Sequence, residues 1–249
     1  MMDKKQAKDR IEKLKVIIND YRYHYHVLDE SIMSESASDS LKHELTILEE
    51  QYPEFITPDS PSQRVAGKAL DKFSKVVHKF PMMSLQDVFD ESEISAWITR
   101  IEKLAGKKLD EFFVDTKMDG LACSIVYTDG VFEQAITRGD GKVGEDVSLN
   151  VRTIKNVPLS LRKSEKYHKL LVGRTEIRGE IVMYKQDFII VNSKRREAGE
   201  PEFMNPRNLS AGTIRQLDPK LVSERPLHFV AYDMLRENQD DVPSYEFAY

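Results

Sequence analysis

The strongest constraint on the fold is a pair of β-rich runs, LACSIVY and VFEQAIT, separated by Thr128, Asp129 and Gly130. Asp-Gly favours a two-residue hairpin turn, because both central residues of that turn need positive φ. The β-branched and aromatic residues of the two runs are typical of strands. The sequence therefore predicts an antiparallel sheet in the middle of the chain.

Further elements surround this hairpin. The runs FFVDTK, TEIRGEIVMY and LHFVAYDML predict additional strands, whereas DESEISAWITRIEKLAG and KQDFIIVNSKRREAG have helical patterns. Gly106 is placed to cap the first of these helices, and NPRNLSAGTIRQLD is a polar stretch between elements. We therefore expect an α+β region.

The N-terminal part is predicted to be helical. Apolar residues recur at three- and four-residue steps from Lys4 to about Tyr25, and a second helix is predicted to begin at Ser36 and to end before Pro53. The Pro- and Ser-rich segment TPDSPSQRVAGKAL predicts a connection between modules. We expect a helical lobe with its linker over residues 1–70 and a second domain over residues 71–249.

Composition excludes several classes of protein. No apolar run is long enough to cross a bilayer, and the charged N-terminus lacks the apolar core of a secretory signal, so we expect a cytoplasmic protein. The single cysteine excludes an internal disulfide framework and a zinc site built from paired cysteines. A net charge of −5 gives no basic footprint for nucleic acid.

The tetrad Lys117, Met118, Asp119 and Gly120 carries the candidate chemistry. A lysine amine is protonated at neutral pH and becomes a nucleophile only after losing its proton. Asp115 and Asp119 would stabilise the protonated amine as ion-pair partners, so a nucleophilic role requires that both acids be engaged elsewhere. A surface lysine paired with an acid is the alternative interpretation.

Other residues strengthen the chemical interpretation. Arg138 follows the hairpin in a glycine-rich stretch, where backbone amides can approach an anion. Glu180 lies in a strand pattern, and Arg207 and Arg215 follow it. A lysine nucleophile, arginines for phosphate charge and a carboxylate for ribose or metal are the components of phosphoryl transfer. No metal is expected at His24 and His26, which diverge on a helix.

In order along the chain, these motifs resemble the N-terminal part of a bacterial-type NAD-dependent DNA ligase. The resemblance covers most of residues 20–233 and rests on the following stretches: YHVLD, ELTILEEQYPEFITPDSPSQRV, HKFPMMSLQDVFD, KMDGLACSIVYTDGVFEQAITRGDGKVGEDVSLNVRTIKNVPLSL, IRGEIVM, FMNPRNLSAGTIRQLDP and RPLHFVAYD.

The resemblance implies a small helical lobe that binds nicotinamide mononucleotide (NMN), followed by an ATP-grasp-like nucleotidyltransferase domain with antiparallel sheets. It implies that Lys117 takes AMP from NAD, with Mg²⁺, and releases NMN. The AMP then passes to a DNA 5′-phosphate, and the adjoining 3′-hydroxyl displaces it to seal the nick, as in DNA replication and repair.

The resemblance also implies contacts to NAD. Asp119 and Asp115, where the family usually has glutamate, flank the lysine. Arg138 and Glu180 are implied to lie around the ribose and phosphates, and Arg207 and Arg215 to face phosphate. Ser84 and Leu85 are implied to lie near the adenine, on which Tyr232 stacks, and the nicotinamide side is implied to consist of Tyr25, His26, Glu35 and Asp39.

Two departures from the family pattern stand out. In the helical lobe, Glu35 replaces an aspartate and Ser38 replaces a tyrosine of the nicotinamide pocket. The family continues with a D-G-V-V-I-K strand and a later lysine-bearing motif, then an OB-fold, a zinc finger and further domains, which this sequence does not contain. We therefore expect an incomplete nucleotidyltransferase domain. Either the sequence is a truncation or the ligase is split between two polypeptides, and we favour a split, such as a compact phage genome encodes, in which a second polypeptide completes the domain.

Two alternatives remain open at this point. A nucleotidyltransferase that uses ATP or GTP shares the K-x-D-G motif, although Tyr25, His26 and the helical lobe favour NAD. A catalytically silent subunit that binds NAD or a replication partner is the other alternative.

Overall fold

The computed structural model of the protein describes residues 2–28, 30–65 and 70–248. Within these ranges, the description leaves out the side chains of His26, Val27, Glu35, Val65, Tyr245 and Glu246. In chain order the helices are α1 (Lys4–Val27), α2 (Glu35–Gln51), α3 (Glu91–Ala105), α4 (Ser148–Val151), α5 (Lys185–Glu197), α6 (Pro206–Ile214), α7 (Pro219–Ser223) and α8 (Tyr245–Ala248). The strands are β1 (Lys75–Val77), β2 (Leu121–Thr128), β3 (Val131–Thr137), β4 (Val143–Glu145), β5 (Arg174–Val182) and β6 (His228–Arg236).

Helices α1 and α2 form the N-terminal lobe around a small core of their own. The core consists of Ile11, Leu14, Ile18, Leu45 and Leu48. Both predicted helices are confirmed, and α2 ends before Pro53 as predicted. The predicted start at Ser36 is wrong. The hydroxyl of Ser34, the residue before α2, accepts a hydrogen bond from the Ala37 amide (3.2 Å), which makes Ser34 the N-cap.

The central feature of the second region is a four-stranded antiparallel sheet in the order β3-β2-β5-β6. The predicted hairpin joins β2 to β3, and Asp129 (φ 50°) and Gly130 (φ 76°) both have the positive φ that its turn requires. A second, two-stranded sheet pairs β1 with β4. The α+β fold class is thereby confirmed.

The two faces of the four-stranded sheet differ because side chains alternate along a strand. One face carries Cys123, Ile125, Tyr127 and Ile181 into the main hydrophobic core, which Leu209 of α6 completes. The opposite face carries polar residues of β5, and the candidate chemistry lies there.

Helix α3 has the predicted C-cap but not a buried face. The Asp90 side chain accepts a hydrogen bond from the Glu93 amide (3.0 Å), and Gly106 ends the helix with a φ of 68°. None of its described residues is buried, and Trp97 contacts Phe112 with ring centroids 5.9 Å apart. The apolar stripe of α3 is therefore largely open to solvent.

The prediction of a strand at FFVDTK is wrong. Residues 107–120 lie in neither helix nor strand, and Phe112, Phe113 and Val114 are exposed. A strand requires a neighbour for its backbone hydrogen bonds, and none of the described strands pairs with this segment. The β propensity of the segment is therefore not sufficient to form one.

The sequence interpretation overlooked α6, which lies within the stretch treated as a polar connection. Asn205 caps this helix by accepting from the Asn208 amide (2.7 Å), and Pro206 occupies its first turn. Asn followed by Pro is a recognised helix-start signal. In the described part of the chain, no helix is both long and apolar enough to cross a membrane.

Candidate active site

Lys117 lies just before β2, next to the end of β5. Gly120, three residues later, donates its backbone N–H to Oε1 of Glu180 (3.2 Å). A Cβ at Gly120 would overlap the carbonyl oxygen of Ile181, so only glycine allows this close approach. The predicted lysine motif and the predicted carboxylate are therefore brought together.

Glu180 is half-buried, and three cations act on its charge. Burial raises the pKa of its carboxyl, and the Gly120 N–H, Lys117, Arg138 and Arg207 act in the opposite direction. A carboxylate held in this way can accept hydrogen bonds from a ribose while cations beside it meet phosphate.

The acids that flank Lys117 are engaged elsewhere. Asp119 forms an ion pair with Arg207 (3.0 Å), and Oδ1 of Asp115 accepts from the Thr116 amide (2.7 Å). Among the described residues, no carboxylate oxygen lies within 4.0 Å of the Lys117 amine, which is exposed. Neither flanking acid is therefore paired with the Lys117 amine.

Arg138 opens the glycine-rich loop that joins β3 to β4. Its amide donates to the carbonyl of Ala122 in β2 (3.0 Å), and its carbonyl accepts from the Gly141 amide (3.0 Å). Gly139 has a φ of 57°, and any side chain there would overlap the Val143 carbonyl. The loop therefore presents an exposed arginine next to the strand that follows Lys117.

Tyr232 of β6 also lies near Glu180. Strands β5 and β6 are paired, and their register shifts between Arg178 and Gly179 of β5. Tyr232 therefore lies at an irregularity of the sheet. Burial raises the pKa of the Tyr232 hydroxyl, and the charge of Glu180 adds to the effect. A half-buried aromatic ring beside a carboxylate is suited to pack against a base.

Other predicted site residues have different surroundings. Arg215 pairs with Glu145 of β4 (3.5 Å). Ser84 and Leu85 are exposed in a segment without regular structure. No contact described in the structure joins these three residues to Lys117.

The nicotinamide side is described only in part. Tyr25 stacks on Tyr21 with centroids 5.6 Å apart and lines a cleft that also includes Tyr184 and His228. Asp39 pairs with Lys42 (3.0 Å). The predictions for the side chains of His26 and Glu35 fall outside the described residues.

The sequence interpretation overlooked two buried charged residues of β5, Glu176 and Arg178. Glu176 is 1% exposed and forms ion pairs with Arg174 (2.7 Å) and Arg178 (3.0 Å). Burial opposes ionisation of Glu176, but hydrogen bonds from the two arginines keep the pKa of its carboxyl below the ordinary value. The alternation of Glu176, Arg178 and Glu180 on one face of a strand was readable from the sequence.

The described residues include no group of three or more His, Cys, Asp or Glu side chains that could hold a metal ion. Magnesium commonly keeps several waters and is bound through substrate phosphates and one or two carboxylates. The residues present therefore fit a magnesium ion only if the phosphates of the substrate supply most of its ligands.

The fold and this site define the class of the protein as a nucleotidyltransferase-type domain preceded by a small helical lobe. The chain belongs to the family described as the NAD-dependent DNA ligase adenylation domain, whose model matches residues 70–247. A second model, described as the DNA ligase-like, N-terminal NAD+-binding domain, matches residues 4–66. The resemblance inferred from the motifs is thereby confirmed.

Curated relatives agree with this assignment. The chain is 45% identical over 229 residues to a DNA ligase of Thermomicrobium roseum, a match that covers 92% of this chain and 33% of that protein. It is 44% identical over 233 residues to a DNA ligase of Bacillus licheniformis, covering 94% of this chain and 33% of the relative. The chain thus spans about a third of the length of these relatives.

Proposed function

We propose that the chain is the adenylation component of an NAD-dependent DNA ligase. The observation that carries this proposal is the Lys117 amine, which has no carboxylate within ion-pair distance among the described residues, beside the cation-flanked Glu180. In the proposed step the deprotonated amine attacks the α-phosphorus of NAD. A nitrogen–phosphorus bond forms, the bond to the NMN phosphate breaks, and AMP remains on Lys117.

The residues around Lys117 have distinct roles in this proposal. Arg138 and Arg207 offset the charge of the phosphates. Glu180 accepts a hydrogen bond from a ribose hydroxyl, and Tyr232 packs on the adenine. Ser84 and Leu85 lie at the adenine side, and Arg215 faces phosphate. Asp115 and Asp119 serve the nucleotide rather than neutralising the lysine.

Residues 1–70 form the proposed NMN-binding lobe and linker, and residues 71–249 the proposed nucleotidyltransferase domain. In the lobe, Tyr25, His26, Glu35 and Asp39 are the proposed contacts to nicotinamide mononucleotide. Mg²⁺ is proposed to accompany the NAD phosphates. These roles follow from the family pattern at the matching positions of this chain.

A second polypeptide is proposed to complete the pocket and to hold nicked DNA. Support comes from the segment before Lys117, where Phe112 and Val114 are 43% and 86% exposed and the backbone joins no described sheet. An added strand could pair with this backbone and cover these side chains. Transfer of AMP to a DNA 5′-phosphate and nick sealing would then require both chains.

Intact-mass measurement after incubation with NAD and Mg²⁺ tests the proposed function, with the chain alone and with the candidate partner. A mass increase equal to one AMP, lost in Lys117→Ala, is expected. The absence of the adduct under both conditions would contradict adenylation and favour a silent NAD-binding subunit. An adduct from ATP but not from NAD would favour an ATP-dependent nucleotidyltransferase.

A further inference from the structure

The segment from His78 to Met82 leads into Ser84 and Leu85 and is fixed to the loop that carries Arg138. The His78 amide donates to the carbonyl of Lys142 (2.8 Å), and the Met82 amide donates to that of Gly141 (2.8 Å). The ring Nε2 of His78, which is buried, lies 3.0 Å from the Thr137 carbonyl. One side of this segment is therefore tied to the end of β3 and the loop after it.

Arg178 holds the other side of the same segment. Its guanidinium donates to the carbonyls of Phe80 (2.5 Å) and Pro81 (3.1 Å), and its Nε donates to Glu176 (3.0 Å). The residue is only 8% exposed. Two carbonyls on consecutive residues are matched to the planar fork of an arginine, which a lysine ammonium cannot reproduce.

The position of Arg178 connects this segment with the candidate pocket. Arg178 and Glu180 are two residues apart in β5 and so lie on the same face of the sheet. The positive charge of Arg178 also acts on Tyr232, where it opposes the rise in the pKa of the phenol. One guanidinium is thus tied to the segment before Ser84 and lies near the ring proposed to pack on adenine.

We propose that Arg178 is a positioning residue that places Ser84 and Leu85 beside Tyr232 and thereby sets the affinity for the adenosine half of NAD. The inference rests on the proposed function, since it assigns the pocket to NAD. Arg178 touches no reacting atom in this proposal. It acts through the backbone of Phe80 and Pro81, so the nicotinamide half of the substrate is not affected.

Arg174 provides a matched control. It shares the carboxylate of Glu176 with Arg178 and is also partly buried. Its contact with the segment is a guanidinium over the Phe80 ring, 5.7 Å from the centroid, and the described hydrogen bonds of its side chain go to Glu176 alone. Arg178→Lys and Arg174→Lys therefore make the same chemical change, but only the former removes a bidentate grip on the backbone.

Two measurements on the full chain test the proposal. Calorimetric titration with AMP and, separately, with NMN compares the two halves of the substrate, and hydrogen–deuterium exchange reports on residues 78–86. For Arg178→Lys we expect roughly tenfold weaker AMP binding, unchanged NMN binding and faster exchange in this segment. Arg174→Lys should stay within about twofold of the wild type for both ligands.

The outcomes separate this inference from the proposed function. If the wild-type chain binds neither AMP nor NAD, alone or with the candidate partner, the proposed function fails and the inference fails with it. If the wild type binds but Arg178→Lys keeps its AMP affinity, or loses AMP and NMN affinity equally, the positioning role is overturned and the proposed function is not. Faster exchange in residues 78–86 without a change in AMP affinity would also overturn it.

Discussion

Gly120 lies against the end of β5, where its amide meets Glu180 and its Cα faces the Ile181 carbonyl. Because a Cβ would overlap that carbonyl, Gly120→Ala must displace the backbone beside Lys117. We expect adduct formation from NAD to fall by at least about a hundredfold, since small misplacement of a nucleophile is costly. Intact-mass kinetics measure this.

Gly212→Ala is the matched control, because the Cβ there would meet no neighbouring atom within 4 Å. Wild-type adduct formation is expected from this helical variant. Equal activity of the two alanine variants would contradict the importance of close approach at Gly120.

The ionised carboxyl of Glu180 is predicted to lower the stability of the folded protein at neutral pH. Since burial raises the pKa of its carboxyl, the folded state favours the protonated form, and the stability it contributes at low pH is lost as the pH rises through its folded-state pKa. Glu180→Gln should therefore raise the melting temperature at pH 7 by roughly 1–3 °C and lower nucleotide affinity. Thermal unfolding at pH 7 and pH 4 measures the effect.

The gain of Glu180→Gln should shrink at the lower pH, where the wild-type carboxyl is protonated. The exposed Glu165 offers a control, since Glu165→Gln should leave both quantities unchanged. A melting temperature of Glu180→Gln below that of the wild type at pH 7 would contradict the argument.

At the scale of elements, the polar face of β5 depends on a buried carboxylate between two arginines. Glu176→Gln leaves the partly buried Arg174 and the buried Arg178 without their counter-charge, and we expect a loss of about 3 kcal/mol in the free energy of unfolding. The pKa of Glu176 is lowered, so its contribution is present at neutral pH and is lost as the pH falls.

Urea unfolding over a range of pH measures this contribution. The difference between the wild type and Glu176→Gln should shrink between about pH 5 and pH 3. A difference that does not depend on pH would mean that the shape of the side chain, rather than its charge, stabilises β5.

At the scale of the whole molecule, the helical lobe is joined to the second region by arginines that bind backbone carbonyls. Arg64, after α2, donates to the carbonyls of Arg152 (3.0 Å), Ile154 (3.1 Å) and Val157 (2.7 Å). Arg22 of α1 donates to the carbonyl of Lys155 (2.7 Å). Burial lowers the pKa of both arginines, Arg22 to about 10.

Arg64→Met should lower the free energy of unfolding by about 2–3 kcal/mol, because it leaves buried carbonyls without a donor. Urea denaturation measures the loss. Arg10→Met is the control, since Arg10 pairs with Glu44 at the surface (2.6 Å) and should cost less than about 1 kcal/mol. Equal costs for the two variants would contradict a special role for the junction.

Much of this architecture was predictable from local patterns. The Asp129-Gly130 turn, the strands on either side of it and the Gly106 cap of α3 follow from short-range chemistry, and the structure confirms them. The strand expected at FFVDTK does not form, because strand formation depends on a partner elsewhere in the sheet rather than on propensity.

The site was predictable only in part. The motif pointed to Lys117, Arg138 and Glu180, and the structure places charged groups around Glu180. The contacts of Arg178 with Phe80 and Pro81 span almost a hundred residues of chain, so no local pattern indicates them. The roles of all the predicted site residues, Lys117 included, stay predictions.

The open apolar stripe of α3 and the exposed residues Phe112, Phe113 and Val114 have a practical consequence for handling the protein. An exposed hydrophobic segment favours association between chains. Purified alone, the protein should form larger species as its concentration rises, which light scattering would detect. Detergent below its micelle concentration, or co-expression with a polypeptide that covers the segment, should keep it dispersed.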